Sequence, residues 1–174
     1  MMTYRYGSKS RTQLDTCDPR LRTIFNKLIE FIDVSILEGR RTFAQQLRNI
    51  GKKVSKTINS RHIPRKDDGA IDTTGLSKAV DAAPYPIRWP DRSRDREKQI
   101  ARFYYMQGAI RAIAHYEDIP IRQGVDWDGD GDFFDQTFDD LPHTEIDEPL
   151  PALELTPQQQ RRVDIAFDIA RLRV

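Results

Sequence analysis

Asp126-Trp-Asp-Gly-Asp-Gly-Asp-Phe-Phe-Asp135, followed shortly by Asp140-Leu-Pro-His143-Thr-Glu145, is the stretch on which the fold depends. From Asp126 to Glu148 there are ten acidic residues and no basic one. Such a run of charge is most often a solvated surface segment. Here, however, the acids alternate with glycines, as in loops that fold several carboxylates around one hard cation, and a histidine follows an aspartate by three residues. We therefore predict a loop that holds a calcium-type ion beside part of a zinc-hydrolase site, which residues from elsewhere must complete.

The candidate calcium ligands are Asp126, Asp128, Asp130, Asp132 and Asp135. The spacing of the first three, with a glycine at Gly131, matches the first half of an EF-hand loop. The glutamate expected at the twelfth position is replaced by Thr137, so one of the last two aspartates would have to substitute for it. The alternative is a solvated acidic turn that only positions Asp140 and His143.

The composition of the 174 residues, with 38% hydrophobic and 32% charged, is typical of a soluble globular protein with one domain. The basic body before Asp126 suits nucleic acid or another anionic polymer such as peptidoglycan, so charge alone does not choose between them. Cys17 is the only cysteine, which excludes an intramolecular disulfide and a cysteine-based metal cage. Neither a membrane-spanning run nor a secretory signal is recognisable, so we expect synthesis in the cytoplasm.

Hydrophobic periodicity predicts an α+β fold, a small antiparallel sheet with flanking helices. Predicted helices run from Pro19 to Ile32, from Phe43 to Ile50, from a cap at Ser93 through Ile113, and from Thr156 through Ala170. Predicted strands are 34–37, a short segment around Asp81, 119–125 and 143–146. The segment 63–76 contains proline, glycines and mixed charge and is predicted to be an exposed insertion.

The three histidines differ in what surrounds them. His115 lies in the long helix without a partner at ligand spacing, whereas His62 and His143 lie in or next to loops. A catalytic zinc generally takes three protein ligands and leaves the fourth position to water. Asp81 is the best third ligand, because an unpaired carboxylate in an otherwise apolar segment would be costly to bury. The alternative for Asp81 is an ordinary ion pair at the end of a strand.

Four motifs resemble a family of zinc peptidases that cleave peptidoglycan, the D-alanyl-D-alanine carboxypeptidases and phage L-alanyl-D-glutamate endolysins. The motifs are Gly39-Arg-Arg41-Thr42 with Gln45, Ser60-Arg-His62, Ser77-Lys-Ala79-Val-Asp81, and Asp140-Leu-Pro-His143-Thr-Glu145. The resemblance covers roughly residues 5–146 and implies the LAS-type peptidase fold, with the zinc site at the sheet.

The resemblance also implies residue roles. Zinc would be held by His62, Asp81 and His143, and Asp140 would be the general base. Arg41 would contact a substrate carboxylate or the oxyanion of the reaction, and Gln45 and Ser60 would help to bind the substrate. Because eighteen residues separate His62 from Asp81, where the family keeps only a few, Asp72 is a rival ligand. We prefer Asp81, since Ala-Val-Asp followed by Ala-Pro-Tyr matches the family better.

These features predict a phage endolysin that hydrolyses the L-Ala–D-Glu bond of peptidoglycan. The alternatives are a D-Ala-D-Ala carboxypeptidase or dipeptidase of the same group, and a non-catalytic calcium-binding or nucleic-acid-binding module. We expect a catalytic domain over 1–148, and a linker and C-terminal helix over 149–174 that pack on this domain rather than contact a membrane. We also expect a monomer that binds peptidoglycan and no nucleic acid, and that reaches the wall after the membrane is permeabilised.

Overall fold

The computed structural model describes residues 4–92 and 94–172. Five helices and four strands follow one another in this part of the chain. They are α1 (Ser8–Leu14), α2 (Pro19–Leu28), β1 (Val34–Glu38), α3 (Phe43–Gly51), β2 (Ala79–Pro84), α4 (Arg96–Tyr116), β3 (Ile121–Gln123), β4 (His143–Ile146) and α5 (Pro157–Leu172).

The four strands form one sheet in the order β1-β2-β4-β3, and each neighbouring pair is antiparallel. Between β2 and β4, Asp81 lies opposite His143 and Ala79 lies opposite Glu145. The predicted α+β class and the small antiparallel sheet are confirmed. The sheet places two residues that are far apart in sequence side by side, and this juxtaposition is the basis of the site described below.

The main core lies between the sheet and helices α1, α2 and α4. Helix α2 begins as the sequence predicts, because the Asp18 carboxylate accepts the backbone N–H of Arg20 (2.9 Å) and Pro19 occupies the first turn. Its buried face is formed by Leu21, Ile24, Phe25 and Leu28. Each such side chain contributes about 1.5–3 kcal/mol when fully buried, so this face is a major source of stability.

Some helix and strand boundaries differ from the prediction. Helix α2 ends at Leu28, although Ile29 and Ile32 remain buried in the loop that follows. Strand β3 is shorter than predicted, because the chain turns into the acidic loop directly after Gln123. Helix α4 begins at Arg96, and its predicted cap, Ser93, lies outside the described residues.

The insertion 63–76 is not simply an exposed loop, because it holds the linker that precedes α5. The backbone N–H of Glu154 donates to the carbonyl of Gly69 (3.0 Å), and Arg65 donates to the carbonyl of Pro151 (2.7 Å). A Cβ on Gly69, whose φ is +83°, would come within 2.1 Å of the Ala152 oxygen. Ile63, at the start of the insertion, is buried. The insertion therefore fixes residues 149–156 against the domain.

Helix α5 packs against α3, apart from the main core. Val163 and Ala166 are buried. Ile169 lies close to Gly51, because a Cβ added to Gly51 would be 3.6 Å from Cγ2 of Ile169. These contacts keep the C-terminal segment on the protein. Within the part of the chain that the structure describes, no helix combines the length and the apolar character needed to cross a membrane.

Candidate active site

His62, Asp81 and His143 meet at one end of the sheet. Asp81 and His143 are neighbours across β2 and β4. His62 comes from the loop after α3, which is tied to the sheet because the N–H of Lys78 donates to the Arg61 carbonyl (3.1 Å). One potential ligand atom from each of the three side chains lies within 4.8 Å of the other two. The sequence motifs are thus brought together by the strand register and one loop.

The orientation of both imidazoles follows from their hydrogen bonds. His62 Nδ1 lies 2.6 Å from the Gly39 carbonyl, which can only accept, so Nδ1 carries the hydrogen. His143 Nε2 lies 3.0 Å from the buried Glu145 carboxylate and donates in the same way. The remaining nitrogens, His62 Nε2 and His143 Nδ1, then face the same Asp81 oxygen at 3.2 and 2.9 Å. In neutral rings, two lone pairs would point at a carboxylate, so this arrangement favours a proton on a ring nitrogen or a metal ion between the three side chains.

The pKa values of the cluster reflect this demand for positive charge. Burial acts to lower the pKa of His143, but hydrogen bonds with Asp81 and Glu145 raise it to about 10. Burial acts to raise the pKa of Asp81, but the neighbouring histidines hold it well below its usual range. A metal ion can supply the charge that the proton supplies here. A set of two imidazole nitrogens and one carboxylate oxygen fits a divalent metal of the zinc type.

Asp140 lies beside this cluster and is held by the backbone. Its N–H donates to the Gly124 carbonyl (2.8 Å), and its own carbonyl accepts the N–H of His143 (3.0 Å). A side chain at Gly124 would come within 2.4 Å of the Asp140 oxygen, so this close approach needs glycine. Burial, with a further contribution from the charge of Asp81, raises the pKa of Asp140 above its ordinary value. A carboxyl with a raised pKa next to a metal site is suited to proton transfer.

Arg41 lies at the edge of the cluster and is firmly held. It donates to Glu38 and to Gln46 Oε1 (2.7 Å), and one of its nitrogens is 3.6 Å from Asp81. Its Nε is buried and has no hydrogen-bond partner among the described residues.

Gln45, which was predicted to help bind the substrate, is not among the residues that line the cleft. Its side chain accepts the N–H of Thr42 (2.8 Å), and the Thr42 hydroxyl accepts the N–H of Gln45, a capping box at the start of α3. The glutamine beside Arg41 is therefore Gln46, which is fully buried. The signal was present in the sequence, because Thr-x-x-Gln before a helix is the capping-box pattern.

Ser60 lies at the mouth of the site, where its hydroxyl accepts the backbone N–H of His62 (3.3 Å). It lines a cleft of about 830 Å³ that also contains Arg41, Asp81, Asp140 and His143. Trp127, Phe138 and Arg122 also line this cleft. The predicted ligands His62, Asp81 and His143 all line this cleft.

Glu145 and the two arginines around it were given no role from the sequence. Arg61 contacts Glu145 through Nε (3.0 Å), and Arg122 contacts the same oxygen through Nε (2.8 Å). Burial acts to raise the pKa of Glu145, but His143 and Arg122 lower it. The sequence did contain a signal for Glu145. It lies two positions after His143, and residues two apart in a strand share a face of the sheet.

The acidic loop brings three of its five predicted ligands together. Carboxylate oxygens of Asp126, Asp128 and Asp130 lie within 4.8 Å of one another. Asp126 is fully buried, and its Oδ2 forms an ion pair with Arg111 (2.7 Å) but accepts no hydrogen bond within the described chain. Gly129 and Gly131 have φ values of +78° and +88°, which glycine adopts without strain.

The other proposed ligands lie outside these clusters. Asp132 accepts the N–H of Phe134 (2.9 Å), and Asp135 accepts the side-chain amide of Gln136 (2.6 Å). Asp72, the rival of Asp81, accepts the backbone N–H and the hydroxyl of Thr74 (both 2.9 Å) in a local turn. Each of these carboxylates is thus used locally.

Comparison with known proteins agrees with this geometry. The family model described as phage L-alanyl-D-glutamate peptidase matches residues 2–146. The chain is 29% identical over 143 residues to the L-alanyl-D-glutamate peptidase of Escherichia phage T5. This alignment covers 78% of this chain and 90% of the phage T5 protein. The fold is similar to that of the Serratia marcescens L-Ala D-Glu endopeptidase ChiX, with a TM-score of 0.56 and 21% identity over 82% of this chain and 90% of the other. The chain belongs to the phage L-alanyl-D-glutamate peptidase family.

Proposed function

We propose that this protein is a zinc-dependent endolysin that hydrolyses the L-Ala–D-Glu bond in the peptide stems of bacterial peptidoglycan. The observation that carries the proposal is the convergence of His62, Asp81 and His143 on one point, in a cleft where Asp140 has a raised pKa. The family match makes this bond a better choice than the D-Ala-D-Ala linkage. A purely calcium-binding or nucleic-acid-binding module would not account for the three converging ligands.

The chain's own residues have separable tasks in this reaction. Bound zinc supplies Lewis acidity toward water and toward the scissile carbonyl. Asp140 accepts a proton from the attacking water and then delivers it to the leaving amine of D-glutamate. Arg41, oriented by Glu38 and Gln46, contributes positive charge where the carbonyl oxygen becomes an oxyanion. Ser60 orders the backbone that carries His62.

We also propose that Asp126, Asp128 and Asp130 hold a calcium ion. The buried Asp126 and the positive-φ glycines bend the loop so that its carboxylates face one another, and such charges repel one another without a cation. The loop leads directly into Asp140 and His143, so its order affects the site.

Residues 1–148 would form the catalytic domain, and residues 149–174 a linker and a helix that pack on it. We propose that the protein acts as a monomer on peptidoglycan, after the membrane has been permeabilised.

Digestion of purified peptidoglycan followed by mass spectrometry tests the reaction. We expect fragments with a free L-alanine carboxyl and a new D-glutamate amine. The Asp140→Ala variant should produce none of these fragments but should still bind the metal. The Asp81→Ala variant should neither produce the fragments nor bind the metal. Asp72→Ala is the matched control and should retain both. Release of D-alanine instead would contradict the endopeptidase assignment, and a metal analysis without zinc would contradict the cofactor.

A further inference from the structure

Four basic side chains line the cleft, and they differ in how they are held. The four are Arg41, Lys56, Arg61 and Arg122. Arg41 is held by Glu38 and Gln46. Arg61 is largely buried, and it donates to the carbonyls of Ile146 (3.1 Å) and Glu148 (2.8 Å). Because Arg41 is assigned to the oxyanion, Arg122 and Lys56 are the cations left to contact a substrate carboxylate.

Arg122 is oriented toward the cleft by two neighbours. It lies in β3 opposite Glu145, and both its Nε and one Nη contact a single Glu145 oxygen. Its guanidinium carbon lies 5.5 Å from the centre of the Trp127 ring, which is itself 5.4 Å from the His143 ring. The Arg122 side chain is 38% exposed, and its Nη1 has no acceptor within residues 4–92 and 94–172. A fixed guanidinium with a free N–H thus lies close to the proposed metal ligands.

The charges around Glu145 do not balance. One carboxylate serves both Arg61 and Arg122, so Glu145 neutralises only one of these two guanidinium groups. A guanidinium in a partly enclosed site binds a carboxylate more strongly than a neutral group, because the hydrogen bonds are charge-assisted. Lys56 lies over Phe138 (4.8 Å), and no carboxylate in the part of the chain that the structure describes fixes its direction, so it is less well organised for this task.

We propose that Arg122 binds the free carboxylate of the substrate's D-glutamate residue and thereby selects acidic stem peptides over amidated ones. The inference rests on the proposed function, since it concerns the residue on the amine side of the bond cleaved. A D-glutamate residue that is linked onward through one carboxyl keeps the other free. In the amidated form, D-isoglutamine, this group is a neutral carboxamide, so the charge-assisted part of the contact is lost.

The test compares two synthetic stem peptides that differ only in this carboxylate or carboxamide. We expect the zinc-loaded wild-type protein to cleave the acidic peptide with a kcat/KM about 10–100-fold higher, as for a hydrogen bond to a charged group. The difference should lie mainly in KM, because the carboxylate is present in both ground and transition states. Arg122→Gln should bring both peptides to the wild-type rate for the amidated one, and Arg122→Lys should keep part of the preference.

The control is Arg171→Gln, which removes an equal charge from an arginine that is 80% exposed and lies outside the cleft; it should keep the full preference. Zinc content and melting temperature verify that each variant is folded. If the Arg122→Gln variant does not fold, the comparison of the two peptides with the wild-type protein still tests the inference. Equal cleavage of both peptides by the wild type would overturn the inference and leave the proposed function intact. A preference that survives Arg122→Gln, or that Lys56→Gln removes instead, would also overturn it. Failure to cleave either peptide at the L-Ala–D-Glu bond would refute the proposed function itself.

Discussion

Glu145 connects the chemistry of a single residue to the metal site. It accepts a hydrogen bond from His143 Nε2 (3.0 Å), so it selects the tautomer that leaves Nδ1 free to bind a metal. We expect Glu145→Ala to lower metal affinity about 10–100-fold, as for other carboxylates that orient a histidine ligand. Competition with a chelator of known affinity measures this directly. The exposed Glu30→Ala serves as the control, and an unchanged affinity in Glu145→Ala would show that the contact is only structural.

The proposed role of Asp140 as general base predicts the acid side of the pH dependence. A general base works only when deprotonated, so activity should fall as the pH drops through the pKa of Asp140. Because burial raises that pKa, the fall should be centred above the ordinary aspartate value of about 3.9. Asp140→Asn should cost about 10²–10⁴-fold in kcat. The kcat/KM profile of the wild type and the metal content of the variant check both points, and a variant with an unaltered acid limb would exclude Asp140.

The sequence motifs identified some residues of the candidate site by position and missed the partners of others. The motifs pointed to His62, Asp81 and His143 because a zinc site needs three protein ligands, and the structure brings these three side chains together. They also pointed to Gln45 for substrate binding, whereas the glutamine that contacts Arg41 is Gln46. Which of the two glutamines meets Arg41 depends on its position around helix α3, because the Gln45 side chain caps the helix and the Gln46 side chain is buried.

Among the elements, the insertion 63–76 supports the C-terminal linker through Gly69. Gly69→Ala places a side chain at positive φ, which costs about 1–2 kcal/mol, and also collides with the Ala152 oxygen. We expect a lower melting temperature and faster proteolysis within 149–156. Gly108→Ala is the matched control, because an added Cβ there meets nothing within 4 Å and the change should stabilise α4 by about 0.8–1 kcal/mol. Equal effects of the two changes would contradict this role of the insertion.

The acidic loop should respond to calcium as a unit. At a concentration one hundred times the dissociation constant, a ligand that binds only the folded state stabilises it by about 2.7 kcal/mol. Calcium should therefore raise the melting temperature, and Asp128→Asn or Asp130→Asn should weaken the effect. Asp132→Asn should leave it unchanged, since this residue lies outside the cluster. A calcium titration that moves neither melting temperature nor activity would refute the site.

The elements were predictable where local signals agree, and less so where contacts are long-range. Helix α2 followed from its cap, its proline and its apolar spacing. The contact between Gly69 and Glu154 could not be predicted, because no local pattern links two segments that far apart in the chain. Asp132 and Asp135 are a different case, because their spacing suits calcium and only the structure shows that their carboxylates accept hydrogen bonds from neighbouring residues.

At the scale of the whole molecule, α5 should contribute stability rather than chemistry. A variant that ends at Glu148 would lose the burial of Val163 and uncover α3, at a cost of about 1.5–3 kcal/mol for each large apolar side chain exposed. We expect a lower melting temperature, with zinc content and cleavage of the L-Ala–D-Glu bond retained at low temperature. Loss of zinc from a variant that is still folded would show instead that the tail belongs to the catalytic unit.

The register between β2 and β4 has a consequence for how such a chain can diverge. Asp81 faces His143 because of one pairing, and a slip by a single residue would turn His143 to the opposite face of the sheet. Insertions and deletions are thus barred between Asp140 and Glu145, whereas the long detour from His62 to Ser77 leaves the site undisturbed. The length of this enzyme can therefore change on the His62 side of the candidate metal site, whereas the number of residues between Asp140 and Glu145 is fixed.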